Sequence, residues 1–352
     1  MLSHMGLATG VGSLPLVDAQ KAIDLILRYV PGAPFWPQLP KRDMREGMIA
    51  QFSENLPGLK IDAGSLRFVP RDKEKELELF YEKIISQDLE YFKISPDFAA
   101  GLHAFYQRLK DADLSGAEFI KCQVTGPFTF CSGINDLSGN SILHDKVLMQ
   151  AMAKGLSMKA LWQLELFKQF AKKMIMFFDE PYLACVGSAY TPVNRNDVID
   201  VFSELTDSLK AKGCLVGIHC CGNTDWSMLT DAGGIDIINF DAFDFQERFV
   251  LYADNLNSFL KRGGIICWGI VPTQGYNPSL TPEELSQKIK SGLDILVKKG
   301  IDRQLLLERL MISPACGLGT LDAQKAEGIL SLLNQTSVKL GSDLIDPTPN
   351  FT

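Results

Sequence analysis

The sequence predicts an α/β chain folded as a single (β/α)8 TIM barrel, and three observations carry that expectation. Eight short β-branched or apolar runs are spread along the chain. Amphipathic helical patterns fill most of the gaps between them. Neither an internal repeat of roughly 20–50 residues nor a low-complexity tract interrupts the alternation. The runs fall at 7–12, 34–39, 119–125, 174–178, 214–219, 235–240, 264–271 and 310–312. Parallel strands need crossover connections, which these helical stretches supply. A doubly wound open sheet would show the same alternation.

Taken in order, Met1-Leu2-Ser3-His4-Met5 has neither a basic nor an apolar region and reads as an expression remnant, so one catalytic domain is expected over 6–352. The second and third runs are separated by a long stretch, 40–118, with helical patterns at 73–87 and 96–109. It is expected as an excursion over the barrel mouth, because loops of that length are usually functional. A long helix is expected over 145–173, with Leu148, Met152, Leu156, Leu161, Leu164 and Phe167 as its apolar stripe. The pattern at 196–212 ends on Gly213, directly before a strand. Thr281-Pro282-Glu283-Glu284 combines an N-cap, a first-turn proline and a capping-box glutamate. Leu285, Ile289, Leu293, Leu296 and Val297 follow at helical spacing, and Gly300 stops the helix.

Composition narrows the function. The chain has 352 residues, of which 46% are hydrophobic and 22% charged, a globular composition that excludes wholesale disorder. A net charge of −7 argues against a nucleic-acid binder, which needs a basic surplus or stripe. No apolar run approaches the roughly 20 residues of a membrane-spanning helix. The eight cysteines are scattered without regular spacing. That points to a reduced, cytoplasmic protein in which conspicuous cysteines are candidates for metal binding or catalysis.

The candidates appear when the residues ending each run are read together. They are Gly12-Ser13, Asp179-Glu180-Pro181, His219-Cys220-Cys221-Gly222, Asp241 and Pro314-Ala315-Cys316-Gly317. Barrel active sites occupy the C-terminal ends of the strands. Two thiols, an imidazole and a carboxylate would therefore meet in one place, and they form a zinc ligand set: His219, Cys221, Asp241 and Cys316. In an extended segment residues two apart face the same way, so His219 and Cys221 can both address one ion while Cys220 points elsewhere. Each residue also has a plainer reading. A single buried His or Cys is commonly core, Gly-Ser-Leu-Pro is ordinary turn chemistry, and Asp179 and Glu180 could cap a helix that starts with Pro181. Cys122, Cys131, Cys185, Cys214, Cys220 and Cys267 have no assigned role. Trp226 and Trp268 are expected beside the mouth, as packing or as ligand contacts.

In these motifs, together with Val124-Thr125-Gly126-Pro127, the chain resembles the catalytic C-terminal barrel of the cobalamin-independent methionine synthase family, within the wider group that includes uroporphyrinogen decarboxylase. The resemblance spans nearly the whole chain and implies zinc on His219, Cys221 and Cys316. The family's fourth ligand is usually Glu, where this chain has Asp241. It further implies that Ser13 meets the carboxylate of homocysteine, that Asp179 meets its amino group, and that Glu46 is a second acidic contact. Gly319 stands where the family often has Lys. The chain has no room for the family's second, N-terminal barrel. The resemblance is thus to a stand-alone core enzyme, with a methylated corrinoid (methylcobalamin or a corrinoid protein) as the expected methyl donor instead of folate. The 40–118 excursion is the expected donor-docking element.

The implied chemistry is methyl transfer to a thiol. A free thiol has a pKa of about 8.5 and is mostly protonated at cellular pH, and zinc binding ionises it. Two rival readings stand beside this one. The first is a zinc methyltransferase acting on another small thiol, such as coenzyme M. The second is a non-catalytic protein with a structural zinc site.

Overall fold

The computed structural model describes residues 4–62, 64–171, 173–188 and 191–345. The chain opens with β1 (Leu7–Ala8) and α1 (Ala19–Tyr29), then a hairpin of β2 (Leu59–Asp62) and β3 (Ser65–Phe68), then α2 (Lys73–Ile85) and α3 (Ala100–Leu109). β4 (Ile120–Thr125), α4 (Pro127–Ser132), α5 (Lys146–Phe167), β5 (Met174–Asp179), α6 (Arg195–Ala211) and β6 (Leu215–Cys220) follow. The C-terminal half holds α7 (Trp226–Asp231), β7 (Ile237–Asp241), α8 (Ala242–Phe249), α9 (Ala253–Lys261), β8 (Ile265–Val271), α10 (Pro282–Lys298), α11 (Arg303–Glu308), β9 (Leu310–Pro314) and α12 (Ala323–Ile345).

Seven of the strands form one parallel sheet in the order β1-β9-β8-β7-β6-β5-β4. Consecutive strands are neighbours and helices connect them, so the sheet is a curled α/β layer. On its inner face Phe119, Ile175, Phe177, Ile237, Ile265, Cys267 and Met311 pack on one another. Alternate strand residues face outward into a larger core against the helices. The side chains of Asp145, Asn194 and Thr281 start α5, α6 and α10, the last two as capping boxes.

The segment 34–39, expected as a strand, forms no ladder. It makes two isolated parallel bridges, Ser13 with Gln38 and Phe35 with Lys121, and so touches both edges of the sheet. Pro34 and Pro37 explain this, since each lacks the N–H a ladder requires. Side chains hold the seam instead. Gln123 Nε2 donates to Trp36 O at 2.8 Å, Gln38 Nε2 donates to Gln51 Oε1 at 2.7 Å, and Trp36 Nε1 donates to Gln163 Oε1 at 2.9 Å.

Three further expectations change. The excursion contains the antiparallel β2–β3 hairpin, which the sequence reading missed. The helix expected over 145–173 ends at Phe167. His4, set aside with the first residues, is 6% exposed, and its Nδ1 lies 2.8 Å from Glu118 Oε1, while residues 1–3 lie outside the described residues. No helix among the described residues is long and apolar enough to cross a membrane.

Candidate metal and substrate site

β6 ends in the pattern the alternation predicts. His219 faces inward, Cys220 is fully buried on the opposite side, and Cys221 returns to the inner face just past the strand. β9 delivers Cys316 two residues beyond its end. One ligand atom from each of His219, Cys221 and Cys316 lies within 4.8 Å of the others. His219 is 3% exposed and its Nε2 has no hydrogen-bond partner. A buried ring nitrogen left this way is costly unless something occupies it. One imidazole nitrogen and two sulfurs are the donor types zinc prefers, so the residues present fit that ion.

The two thiols shift each other's acidity in opposite directions. A hydrogen bond from Cys316 holds Cys221 below the ordinary thiol range, and the same contact, with burial, pushes Cys316 up. The other cysteines behave differently, since burial pushes Cys220 and Cys267 up to about 12. Neither supplies a thiolate at neutral pH.

Asp241, the fourth expected ligand, is not in this cluster. Its carboxylate caps α8 by accepting from Asp244 N at 2.9 Å. Burial raises its pKa, opposed by that bond. The cap, worth about 1 kcal/mol, uses Oδ1, and a carboxylate keeps a second oxygen for an ion.

The expected substrate contacts fall on three separate segments. Asp179 ends β5 beside His219 in the sheet register. It is 6% exposed, and its Oδ1 has no partner. Burial raises its pKa, while the buried Lys121 ammonium and His219 pull the other way. Lys121 lies on the inner face of β4, donates to Val11 O and, at 3.1 Å, to Gln123 Oε1, and is lowered by burial to about 8. Glu46 lies in a short 3-10 turn (Met44–Glu46); one oxygen pairs with Arg42, and the other, Oε2, is buried without a partner. This turn reaches the sheet two residues on, where Thr125 Oγ1 donates to Met48 O at 2.5 Å, and Thr125 is the register partner of Asp179. Ser13 Oγ accepts from Gly319 N at 3.1 Å, and Ser13 O accepts from Leu318 N at 3.0 Å. The loop carrying Cys316 is thereby stitched to Ser13.

Some candidates prove structural. Glu180 is fully buried and holds the N-terminus of α4, accepting from Phe128 N at 2.9 Å, Thr129 N at 2.8 Å and Thr129 Oγ1 at 2.6 Å. Trp226 and Trp268 are buried edge-on against Phe240, as packing residues. The sequence reading missed Asn239, which bonds His219, and Lys121. The available signal was the same for both: a polar residue on the inward-facing phase of an otherwise apolar strand.

The fold and site define a class: a curled parallel α/β sheet carrying an imidazole–dithiol cluster at the C-terminal ends of its strands. Among solved structures, the chain matches a B12-independent methionine synthase from Shewanella sp. W3-18-1, described in complex with selenomethionine. The TM-score is 0.60 at 18% identity, over 97% of this chain and 99% of that one. No protein-family model matches the sequence, and no curated protein does.

Proposed function

We propose that this protein is a zinc-dependent methyltransferase that converts L-homocysteine to methionine, with a methylated corrinoid as donor. The observation that carries the reading is the His219–Cys221–Cys316 cluster beside the unpartnered Oδ1 of the buried Asp179. A thiol site and an ammonium site then adjoin, as an amino acid thiol requires. The selenomethionine of the matched structure is a product-like ligand of that enzyme and supports the same choice. The reading includes an eight-membered barrel with 34–39 as its second member, one catalytic domain over 6–352, and a reducing cytoplasmic setting consistent with eight free cysteines.

His219, Cys221 and Cys316 would hold the zinc, and Asp241, whose Oδ1 caps α8, would be the fourth holder through its other oxygen. Bound zinc supplies the Lewis acidity that keeps a substrate sulfur ionised at neutral pH. The remaining work belongs to the chain. Asp179 and Glu46 each present a buried oxygen with no partner, and an ammonium can donate to both. Ser13 accepts from Gly319 N, so its own hydroxyl proton is left to donate to the substrate carboxylate. Burial of Asp179 and His219 keeps water from the two ends of the substrate. The sulfur takes the methyl group, and the donor keeps the bonding electron pair.

The test incubates zinc-loaded protein and L-homocysteine with methylcobalamin or with a methyltetrahydrofolate, and quantifies methionine, with Cys316→Ala as control. Methionine from the corrinoid alone, lost in Cys316→Ala, is expected. Methionine from neither donor overturns the reading.

A further inference from the structure

Asn239 has no place in the proposed substrate contacts, yet its side chain makes three hydrogen bonds beside the cluster. It is 2% exposed and sits in register between His219 of β6 and Cys267 of β8. Its Nδ2 donates to Cys267 O at 2.9 Å and to Ser313 Oγ at 2.8 Å. Ser313 spends its own proton on Pro314 O at 2.9 Å, so its oxygen is an acceptor for Asn239. A flipped carboxamide would set Oδ1 against the Cys267 carbonyl, acceptor facing acceptor. The orientation is therefore unique.

Both amide protons are spent, and what faces His219 Nδ1, at 2.6 Å, is Oδ1. An amide oxygen cannot donate, so Nδ1 carries a proton, and in the neutral ring the lone pair is on Nε2. Nε2 is buried and unpartnered, which leaves it as the ring atom His219 can offer to the cluster. We infer that Asn239, clamped by Ser313 and the Cys267 carbonyl, is a positioning residue that locks His219 in the Nδ1–H tautomer and presents Nε2 to the cation. Hydrogen-bond partners of this kind commonly govern metal affinity by roughly 10- to 100-fold. Because Ser313 stands three residues before Cys316, the same clamp ties the imidazole-bearing strand to the segment that carries a sulfur ligand.

The inference rests on the zinc reading only for its affinity arm. In metal-free protein, nitrogen-15 NMR of the imidazoles should show His219 as the Nδ1–H tautomer in the wild type and in Asn239→Asp, where an acceptor remains. Asn239→Leu should show a mixture or the Nε2–H form. Zinc affinity, read by competition with a chromophoric chelator, should fall roughly 10- to 100-fold in Asn239→Leu and much less in Asn239→Asp. Ser313→Ala releases one clamp and should give an intermediate result; it decides the matter if Asn239→Leu does not fold. An unchanged tautomer, or zinc affinity within about twofold of the wild type, in a folded Asn239→Leu or Ser313→Ala overturns the inference. A wild type that binds no zinc overturns the proposed function instead, and the tautomer measurement still judges Asn239.

Discussion

Gly317 lies so close to Ser13 that a Cβ at position 317 would sit 2.4 Å from the serine Oγ. Gly319 is similarly constrained, with Pro40 Cγ at 2.7 Å and Ser13 Cβ at 3.0 Å from an added Cβ. Gly317→Ala must therefore push Ser13 away or move the loop that carries Cys316. Overpacking of this kind costs about 1–3 kcal/mol. Chemical denaturation should show that loss, together with a raised KM for homocysteine. A variant with wild-type stability and KM would mean that Ser13 is not part of the site.

Asp179→Asn separates amino acid thiols from other thiols. Charge-assisted hydrogen bonds are worth about 1.5–3 kcal/mol, so kcat/KM for homocysteine should fall roughly 10- to 150-fold. Turnover of 3-mercaptopropionate, which has no ammonium, should barely change. Thermal stability should hold or rise, because the variant no longer buries a carboxyl whose pKa is raised by burial. Equal losses on both thiols would refute an ammonium contact.

Asp241→Asn tests the cap against the ligand. Asparagine is as good an N-cap as aspartate, so stability should stay within about 0.5 kcal/mol. Zinc affinity should drop far less than in Cys316→Ala, because Cys316 belongs to the imidazole–dithiol cluster and Asp241 lies outside it. Chelator competition on the two variants gives the comparison, and equal losses would make Asp241 a full ligand.

Glu180 predicts a pH dependence of stability. Burial pushes it up to about 7 from an ordinary 4.5, against three donors that pull it down. The unfolded chain ionises above pH 4.5 while the folded chain holds its proton, so stability falls as pH rises from 4.5 to about 7 and is flat beyond. The full effect is at most about 3 kcal/mol. Glu180→Gln cannot titrate and leaves one N–H donor of α4 poorly met. The wild type should therefore be more stable near pH 4.5, with an advantage that shrinks toward pH 7. Urea midpoints across that range measure it, and a constant gap would contradict the assignment.

The ligand-bearing strands were legible because each is a short apolar run closed by a polar residue. Two-residue alternation then assigns His219 and Cys221 to one face and Cys220 to the other without tertiary information. The β2–β3 hairpin was not legible: Leu59-Lys60-Ile61-Asp62 and Ser65-Leu66-Arg67-Phe68 are short, mixed in polarity and far from the main sheet in sequence. Segment 34–39 misled in the opposite sense. Its aromatic residues carry strand propensity, but Pro34 and Pro37 withhold the donors that a ladder needs. Asp241 stands at a strand end, as expected, and one of its oxygens also caps the following helix, a second role that ligand spacing does not reveal.

The proline-bearing seam has a mechanical consequence. His219, Cys221 and Cys316 stand on or just past strands paired on both sides, with one register shift in the β8–β9 ladder between Gly269 and Val271. Ser13 joins the segment 34–39 through an isolated bridge instead of a ladder, and Glu46 lies in the short turn that follows that segment. The candidate metal ligands thus stand where shifting a strand would break many hydrogen bonds, and the candidate substrate contacts where it would break few.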